Sequence, residues 1–291
     1  MPNGILLLDK PAGMSSNAAL QRVRRLFGGC KAGHAGSLDP LATGMLPLCL
    51  GEATKIAGEI LSSRKRYRFT LALGSRTATG DREGAVVEEA PVPDRWQEGL
   101  AAALRGFLGP GRQIPPMYSA LKRDGQPLYR LARAGVTVER APREIEIFEL
   151  TPVSQTAAAV ELDVLCSKGT YVRTLAEDLA RALGTCGHVS ELRRSWVEPF
   201  EEEPMHTLEA VTRACEEGTL ELLAADRPLE HLAAVTLEEW QADRIGHGQE
   251  VALVRSPPPG RVRLYDPAER FLGLGESDGR GKIRPKRLML G

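Results

Sequence analysis

Residues 33–44 read Gly-His-Ala-Gly-Ser-Leu-Asp-Pro-Leu-Ala-Thr-Gly and follow neither the helical nor the strand period, with three glycines crowded around one acid, Asp39. From Gly28 to Gly51 the chain carries six glycines and two prolines. An irregular connection of that length inside a compact domain is either functional or disordered. Leu38, Leu41, Met45, Leu46 and Leu48 are apolar enough to be buried, which favours an ordered loop. Pro40 steers Asp39 away from the helical region and Asp-Pro favours a turn, so the carboxylate is presented where the chain changes direction. Two roles fit it from the residues alone: a cap for that turn, or an acid displayed for chemistry.

The flanks supply elements to carry such a loop. Ile5 to Leu8 reads as a short buried strand that runs into a Lys10-Pro11 turn, after which Ser15 or Ser16 can cap a helix with Ala19, Leu20, Val23, Leu26 and Phe27 on one face. Leu46 to Leu50 reads as another strand, and residues 51–63 as a helix burying Ala53, Ile56, Ala57 and Ile60, with Lys55 pointing away toward a phosphate. Residues 66–73 alternate cleanly, which turns Tyr67, Phe69, Leu71 and Leu73 inward and sets Tyr67 at the mouth of a strand. In the polar turn that follows, Asp81 fits either a cap for that turn or a support for the site. Residues 94–109 contain a helix with Trp96, Leu100, Leu104 and Phe107 on one face, and residues 113–143 form a basic, turn-rich insert suited to closing over a ligand.

Two strands, 143–150 and 159–166, lead to a helix with Val172, Leu175, Ala176, Leu179 and Leu183 as its stripe. Tyr171 lies at the junction. Arg173 lies in the first turn, off the stripe, where a cation opposes the macrodipole and implies an anionic partner. Residues 188–197, with Leu192 and the pair Arg193-Arg194, read as a further strand. Past Pro199 an acidic helical stretch leads to a tail that reads, from about Val235, as short strands between Asp-Pro and Asp-Gly turns. The expected fold is α/β (α+β): a mixed sheet with flanking helices over 1–234, the basic insert within it, and a small β module over 235–291.

The chain of 291 residues is 42% apolar and 26% charged, a globular composition. No apolar run near its start is long enough for a signal peptide or membrane span, so a cytoplasmic protein without membrane contact is expected. Five widely spaced cysteines without a C-x-x-C pair argue against a disulfide framework and a zinc site. The net charge is zero but segregated: residues 1–80 hold eleven Lys/Arg against four Asp/Glu, a local +7, while 198–239 hold two Arg against twelve acids, a local −10. A basic region of that kind suits a polyanion or is a solvated face.

No P-loop, dinucleotide fingerprint, G-x-S-x-G elbow or H-E-x-x-H is present, and no second acid is set as tightly as Asp39 for a two-carboxylate mechanism. A lone ionised Asp held by an Arg suits nucleophilic or electrostatic catalysis at a sugar or base carbon. Here the chain resembles the bacterial tRNA pseudouridine(55) synthases of the TruB family. The resemblance rests on ILLLDKPAGMSSN, GHAGSLDPLATGMLPLCLGEATK, KRYRFTLALGSRTATGDREG, PPMYSALKRDGQPLYRLARAG and CSKGTYVRTLAEDLARALG, in the family's order from residue 5 to about 195. Ala35 departs from it, standing where the family usually carries Thr.

That resemblance implies a catalytic set of Asp39 as nucleophile, Tyr67 as the ring beneath the flipped base and acceptor of its C5 proton, and Arg173 as partner of Asp39. It further implies that Tyr171 and Leu192 line the pocket, that His34 contacts the RNA loop, and that Lys10 contributes to substrate binding. The substrate would be a uridine in the T-arm of tRNA, isomerised without cofactor or metal by a monomer needing no protein partner, and the tail would be a PUA-like RNA-binding module. Rival functions are a pseudouridylase with another RNA target, guide-dependent enzymes included, and a non-catalytic module that binds and folds tRNA.

Overall fold

The computed structural model describes residues 2–123 and 125–289. The first strand, β1 (Gly4–Lys10), is a continuous apolar run from Ile5 to Leu8 because both its faces are covered there: Ile5 and Leu7 enter one buried cluster, Leu6 and Leu8 another. Ser15 caps α1 (Ser16–Leu26), its hydroxyl accepting the Ala18 N–H at 3.1 Å. Then β2 (Ala32–His34) and β3 (Thr43–Leu50) bracket the glycine loop. The next helix is split into a 3-10 segment, Gly51–Ile56, and α2 (Ala57–Ser62), which together bury Ala53, Ile56 and Ile60. Lys55 does not reach outward as expected; it pairs with Glu52 and donates to the Leu288 carbonyl at 2.8 Å.

Strand β4 (Lys65–Leu73) keeps the expected alternation, with Tyr67, Phe69, Leu71 and Leu73 buried and Arg68 exposed. A small hairpin, β5 (Ser75–Thr77) and β6 (Val86–Glu89), precedes α3 (Trp96–Gly106) and β7 (Gly109–Gln113). The basic insert is rooted where Gln113 pairs with Arg143 across two strands. It contains β8 (Lys122–Arg123), β9 (Gln126–Pro127) and α4 (Leu128–Arg133), held down by the buried Leu128. The chain then forms β10 (Arg143–Gln155), β11 (Ala159–Cys166), α5 (Val172–Ala182) and β12 (Gly187–Val197).

These strands make an eight-stranded mixed sheet ordered β1-β3-β12-β4-β11-β10-β7, with β2 added to β3. All its pairings are antiparallel except β3 with β12, which align only at Arg193↔Thr43 and Arg194↔Gly44. Arg194 is also in register with Tyr67 on the other side. The middle of the sheet therefore brings the exit of the Asp39 loop, the Tyr67 strand and the Leu192 strand side by side.

The acidic stretch forms only one regular α-helix, α6 (Leu208–Glu217), and otherwise runs irregularly beside β1. The tail contains β13 (Ala233–Thr236), α7 (Glu239–Gly246), β14 (Val251–Ala252), β15 (Gly260–Tyr265), β16 (Phe271–Ser277) and β17 (Lys282–Leu288). Its five-stranded sheet is ordered β13-β15-β16-β17-β14. Helix α7 departs from the all-strand expectation, and its buried face explains why: beside Ile245 it buries Gln241, whose amide both completes a capping box and donates to the Ala252 carbonyl at 2.8 Å. Polar burial of that kind hides a helical stripe from the hydropathy pattern.

The module is tied to the larger sheet through Leu274, Phe271 and Met289, which pack into the cluster around Ile5, Leu7 and Met45, and by an Arg261–Glu59 ion pair. Among the described residues no helix is long and apolar enough to cross a membrane. All five cysteines are free, four of them buried.

Candidate active site

The Asp39 loop is held from below by its own leucines and from the side by a serine. Leu38, Leu41 and Ala42 belong to the larger apolar cluster. The buried Ser16 hydroxyl accepts the Leu38 N–H at 2.7 Å and donates to the Leu38 carbonyl at 3.0 Å. Asp39 opens a four-residue turn closed by Ala42 N–H on the Asp39 carbonyl at 3.0 Å, with Pro40 at the second position that its fixed φ favours. Ala35 lies buried among Ile5, Leu7 and Met45, where a methyl packs without needing a polar partner.

The carboxylate itself does not cap this turn. It meets Arg173 side-on, Nε to Oδ2 at 2.8 Å and Nη2 to Oδ1 at 3.2 Å. The Arg173 side chain is 4% exposed and that of Asp39 37%, so the acid has one open face and a buried cation behind it. Arg173 is thus buried although it lies off the apolar stripe, because its remaining donors are also used: Nη1 on the Thr79 carbonyl at 2.6 Å and Nη2 on the Tyr118 carbonyl at 2.7 Å. The second of these wires the root of the basic insert to the ion pair.

Asp81 fills both roles open to it. One oxygen accepts from Thr79 Oγ1 at 2.6 Å and Glu83 N–H at 3.1 Å, capping its turn, while the other stands 3.8 Å from Arg173 Nε. One guanidinium therefore faces two carboxylates. Burial pushes the Asp39 carboxyl above its ordinary range and Asp81 adds to this, against the opposing pull of Arg173 and Lys10.

Tyr67 is buried, its ring 6.0 Å from the Arg194 guanidinium, and burial raises its phenol above the usual value. Leu192 lies in the same apolar cluster and pairs with Phe69 across β12 and β4. The half-buried Tyr171 is clasped by Gln113, whose amide accepts the Tyr171 N–H at 2.7 Å and donates to its carbonyl at 3.1 Å. His34 ends β2 half-buried; its Nδ1 is buried without a hydrogen-bond partner, and burial followed by Arg194 lowers its pKa, favouring the neutral ring.

Lys10 is 0% exposed. Its ammonium donates to the carbonyls of Pro11, Met14 and, at 3.4 Å, Pro40, and burial lowers its pKa to about 8. It braces the Asp39 loop and offers nothing to an external phosphate, a placement unlike the substrate contact expected of it.

Arg173, Asp39, Tyr67, Leu192 and Tyr171 thus come together around the loop, with Lys10 bracing it and His34 at the end of β2 that leads into it. Sequence reasoning missed Gln113 and Arg194. For Arg194 a signal existed, since the two-residue strand period puts it on the inward face with Leu192.

Residues 24–172 match the family described as TruB family pseudouridylate synthase (N terminal domain). Residues 173–238 match the tRNA pseudouridylate synthase B C-terminal domain, and residues 233–289 match Pseudouridine synthase II TruB, C-terminal. The chain is 50% identical over 292 residues to tRNA pseudouridine synthase B of Stutzerimonas stutzeri (strain A1501), covering 99% of this chain and 95% of that one. It is 46% identical over 292 residues to the protein of the same name from Coxiella burnetii (strain Dugway 5J108-111), covering 99% and 94%. Its fold is similar to a chain of a Cbf5-Nop10-Gar1 complex, with TM-score 0.69, 24% identity, and 94% of this chain and 78% of that one covered. A chain of an H/ACA RNP bound to a substrate RNA containing 2'-deoxyuridine gives TM-score 0.71 at 21% identity, over 99% and 85%.

Proposed function

From the premise that the chain belongs to the TruB family of pseudouridylate synthases, we propose that it converts a uridine in the T-loop of tRNA, position 55, to pseudouridine. Asp39 is the nucleophile. The observation that carries this is the bidentate Arg173 pairing, which leaves the carboxylate one open face while a buried cation favours its charged form. Asp39 bonds to C1′ as the C1′–N1 bond breaks with its electron pair going to the uracil; the base turns in the pocket, C5 displaces the carboxylate from C1′, and the C5 proton is taken by the neutral Tyr67 hydroxyl as that hydroxyl passes its own proton on through solvent to N1. Tyr171 and Leu192 wall the pocket and His34 contacts the displaced RNA loop. Lys10 acts by bracing the loop.

A base cannot react inside its stack, so the uridine is extruded at a cost of about a few kcal/mol, smallest for a loop nucleotide. Stacking on Tyr67 returns roughly 1 to 3 kcal/mol. The exposed basic residues of the first eighty positions, the insert and the tail neutralise phosphates, so affinity falls as salt rises. The insert over 113–143 closes on the bound RNA, and residues 235–291 serve as a PUA-like RNA-binding module on a catalytic unit of 1–234. Such an enzyme works as a cytoplasmic monomer without cofactor or protein partner.

The test is purified protein alone with an unmodified tRNA transcript, followed by chemical mapping of pseudouridine. Conversion at one T-loop uridine is expected, together with an Asp39→Asn variant that binds tRNA and forms no product. Product from that variant would remove the nucleophile assignment, and a requirement for a guide RNA or further subunits would remove the stand-alone reading.

A further inference from the structure

Arg194 is the largest of the fully buried side chains, 1% exposed, and among the described residues no carboxylate lies within salt-bridge reach of it. An unpaired buried cation is costly, and its bonds show what holds it. Nε donates to the Met45 carbonyl at 2.7 Å and Nη2 to the Gly36 carbonyl at 3.0 Å. Those carbonyls stand on either side of Asp39, one at each end of its loop.

The loop glycines are shaped to this arrangement. A Cβ on Gly44, at φ +98°, would lie 2.1 Å from the Arg194 carbonyl oxygen, and one on Gly36, at φ +110°, would lie 3.3 Å from Nη1. The same guanidinium sits 6.0 Å from the centroid of the Tyr67 ring. Its field also reaches His34 and Lys10, lowering the pKa of both. The charged and titratable groups acting on Tyr67 are Arg194 from β12, Cys166 from β11 and Asp39 from the loop. Among them Arg194 supplies the positive charge.

Resting on the isomerisation proposed above, we infer that Arg194 is a positioning residue for that reaction: it ties the two ends of the Asp39 loop together and fixes a positive charge against the ring on which the target base stacks. As C1′–N1 breaks and its electron pair stays on the uracil, the detached base is anionic. A preset cation behind the stacking ring stabilises that charge without reorganisation. Asp39, tethered through Gly36 and Met45, stays aimed at the ribose while the base turns.

Arg194→Met and Arg194→Lys separate the two tasks. The first removes charge and fork, the second only the fork. Single-turnover rates on a tRNA transcript are compared with tRNA affinity and with the His34 titration followed by NMR on isotope-labelled protein. Arg194→Met is expected to lose about 100-fold or more in rate with tRNA affinity nearly kept, and to raise the His34 midpoint. Arg194→Lys is expected to lose about tenfold in rate from the looser loop, leaving His34 near its wild-type midpoint.

A folded Arg194→Met protein turning over within about twofold of wild type overturns the inference, as does an unmoved His34 or a rate loss fully matched by lost tRNA binding. Should Arg194→Met fail to fold, a wild-type rate in Arg194→Lys has the same effect. The His34 titration needs no turnover, so it still judges Arg194 if the wild-type protein forms no pseudouridine, a result that defeats the proposed function alone.

Discussion

Replacing Arg173 with Lys keeps the charge behind Asp39 and removes the planar fork. Four contacts converge on that guanidinium: both oxygens of Asp39 at 2.8 and 3.2 Å, the Thr79 carbonyl at 2.6 Å and the Tyr118 carbonyl at 2.7 Å. An ammonium is a point charge with three donors and cannot cover the same fan. If it stays on Asp39, the two carbonyls lose their donor, at about 1 to 3 kcal/mol each, which sets the expected loss of stability at roughly 2 to 6 kcal/mol. The second Asp39 contact is lost as well. An aimed donor of this kind contributes about 2.7 to 4 kcal/mol to the barrier, or roughly 10² to 10³ in rate. The assay is release of tritium from C5-labelled uridine in a tRNA transcript under single-turnover conditions, beside urea unfolding and tRNA affinity. A folded Arg173→Lys protein keeping more than about one-tenth of the wild-type rate would refute the reasoning. A stability cycle with Asp39→Asn adds a second check, since contacting partners couple by about 0.5 to 3 kcal/mol and strict additivity would mean that the pair does not act as one unit.

Ser16→Ala removes a hydroxyl that serves both the N–H and the carbonyl of Leu38, and urea unfolding should show a loss of about 1 to 3 kcal/mol together with a slower reaction; unchanged stability would mean that the loop does not depend on this brace. Lys65, buried at the end of α2 with its ammonium on the carbonyls of Ile60, Leu61 and Ser63, has its pKa lowered by burial to about 8 from 10.5. The unfolded chain therefore binds more protons between those values. The penalty is complete below about pH 8 and fades as pH rises toward 10.5, so wild-type stability should climb across that window. Lys10 contributes in the same direction. Lys65→Met should flatten part of that climb, by about 2 kcal/mol, in unfolding measured at pH 7.5 and 9.5; an equally steep climb would show that Lys65 is not the titrating group.

Strand β4, the stripe of α5 and the presence of an ordered Asp39 loop were legible because each is written in apolar spacing. The strand period could place Arg194 inward, but what holds it was hidden, as it was for Lys10 and Lys65: each is buried on backbone carbonyls, and carbonyls leave no mark on a sequence. A carboxylate partner would have been visible as a residue, as Asp39 was for Arg173. The same fact corrects the charge count. Of the eleven basic residues in 1–80, Lys10 and Lys65 are buried, so the local +7 overstates the surface that faces a polyanion. Part of that positive charge instead lies inside, around a site where Arg173 is shared between Asp39 and Asp81. One cation against two acids leaves a single negative charge there, which Arg194 together with a protonated Lys10 outweighs. An interior with that balance stabilises negative charge developing inside it, which is what the proposed isomerisation asks of the site as the base detaches.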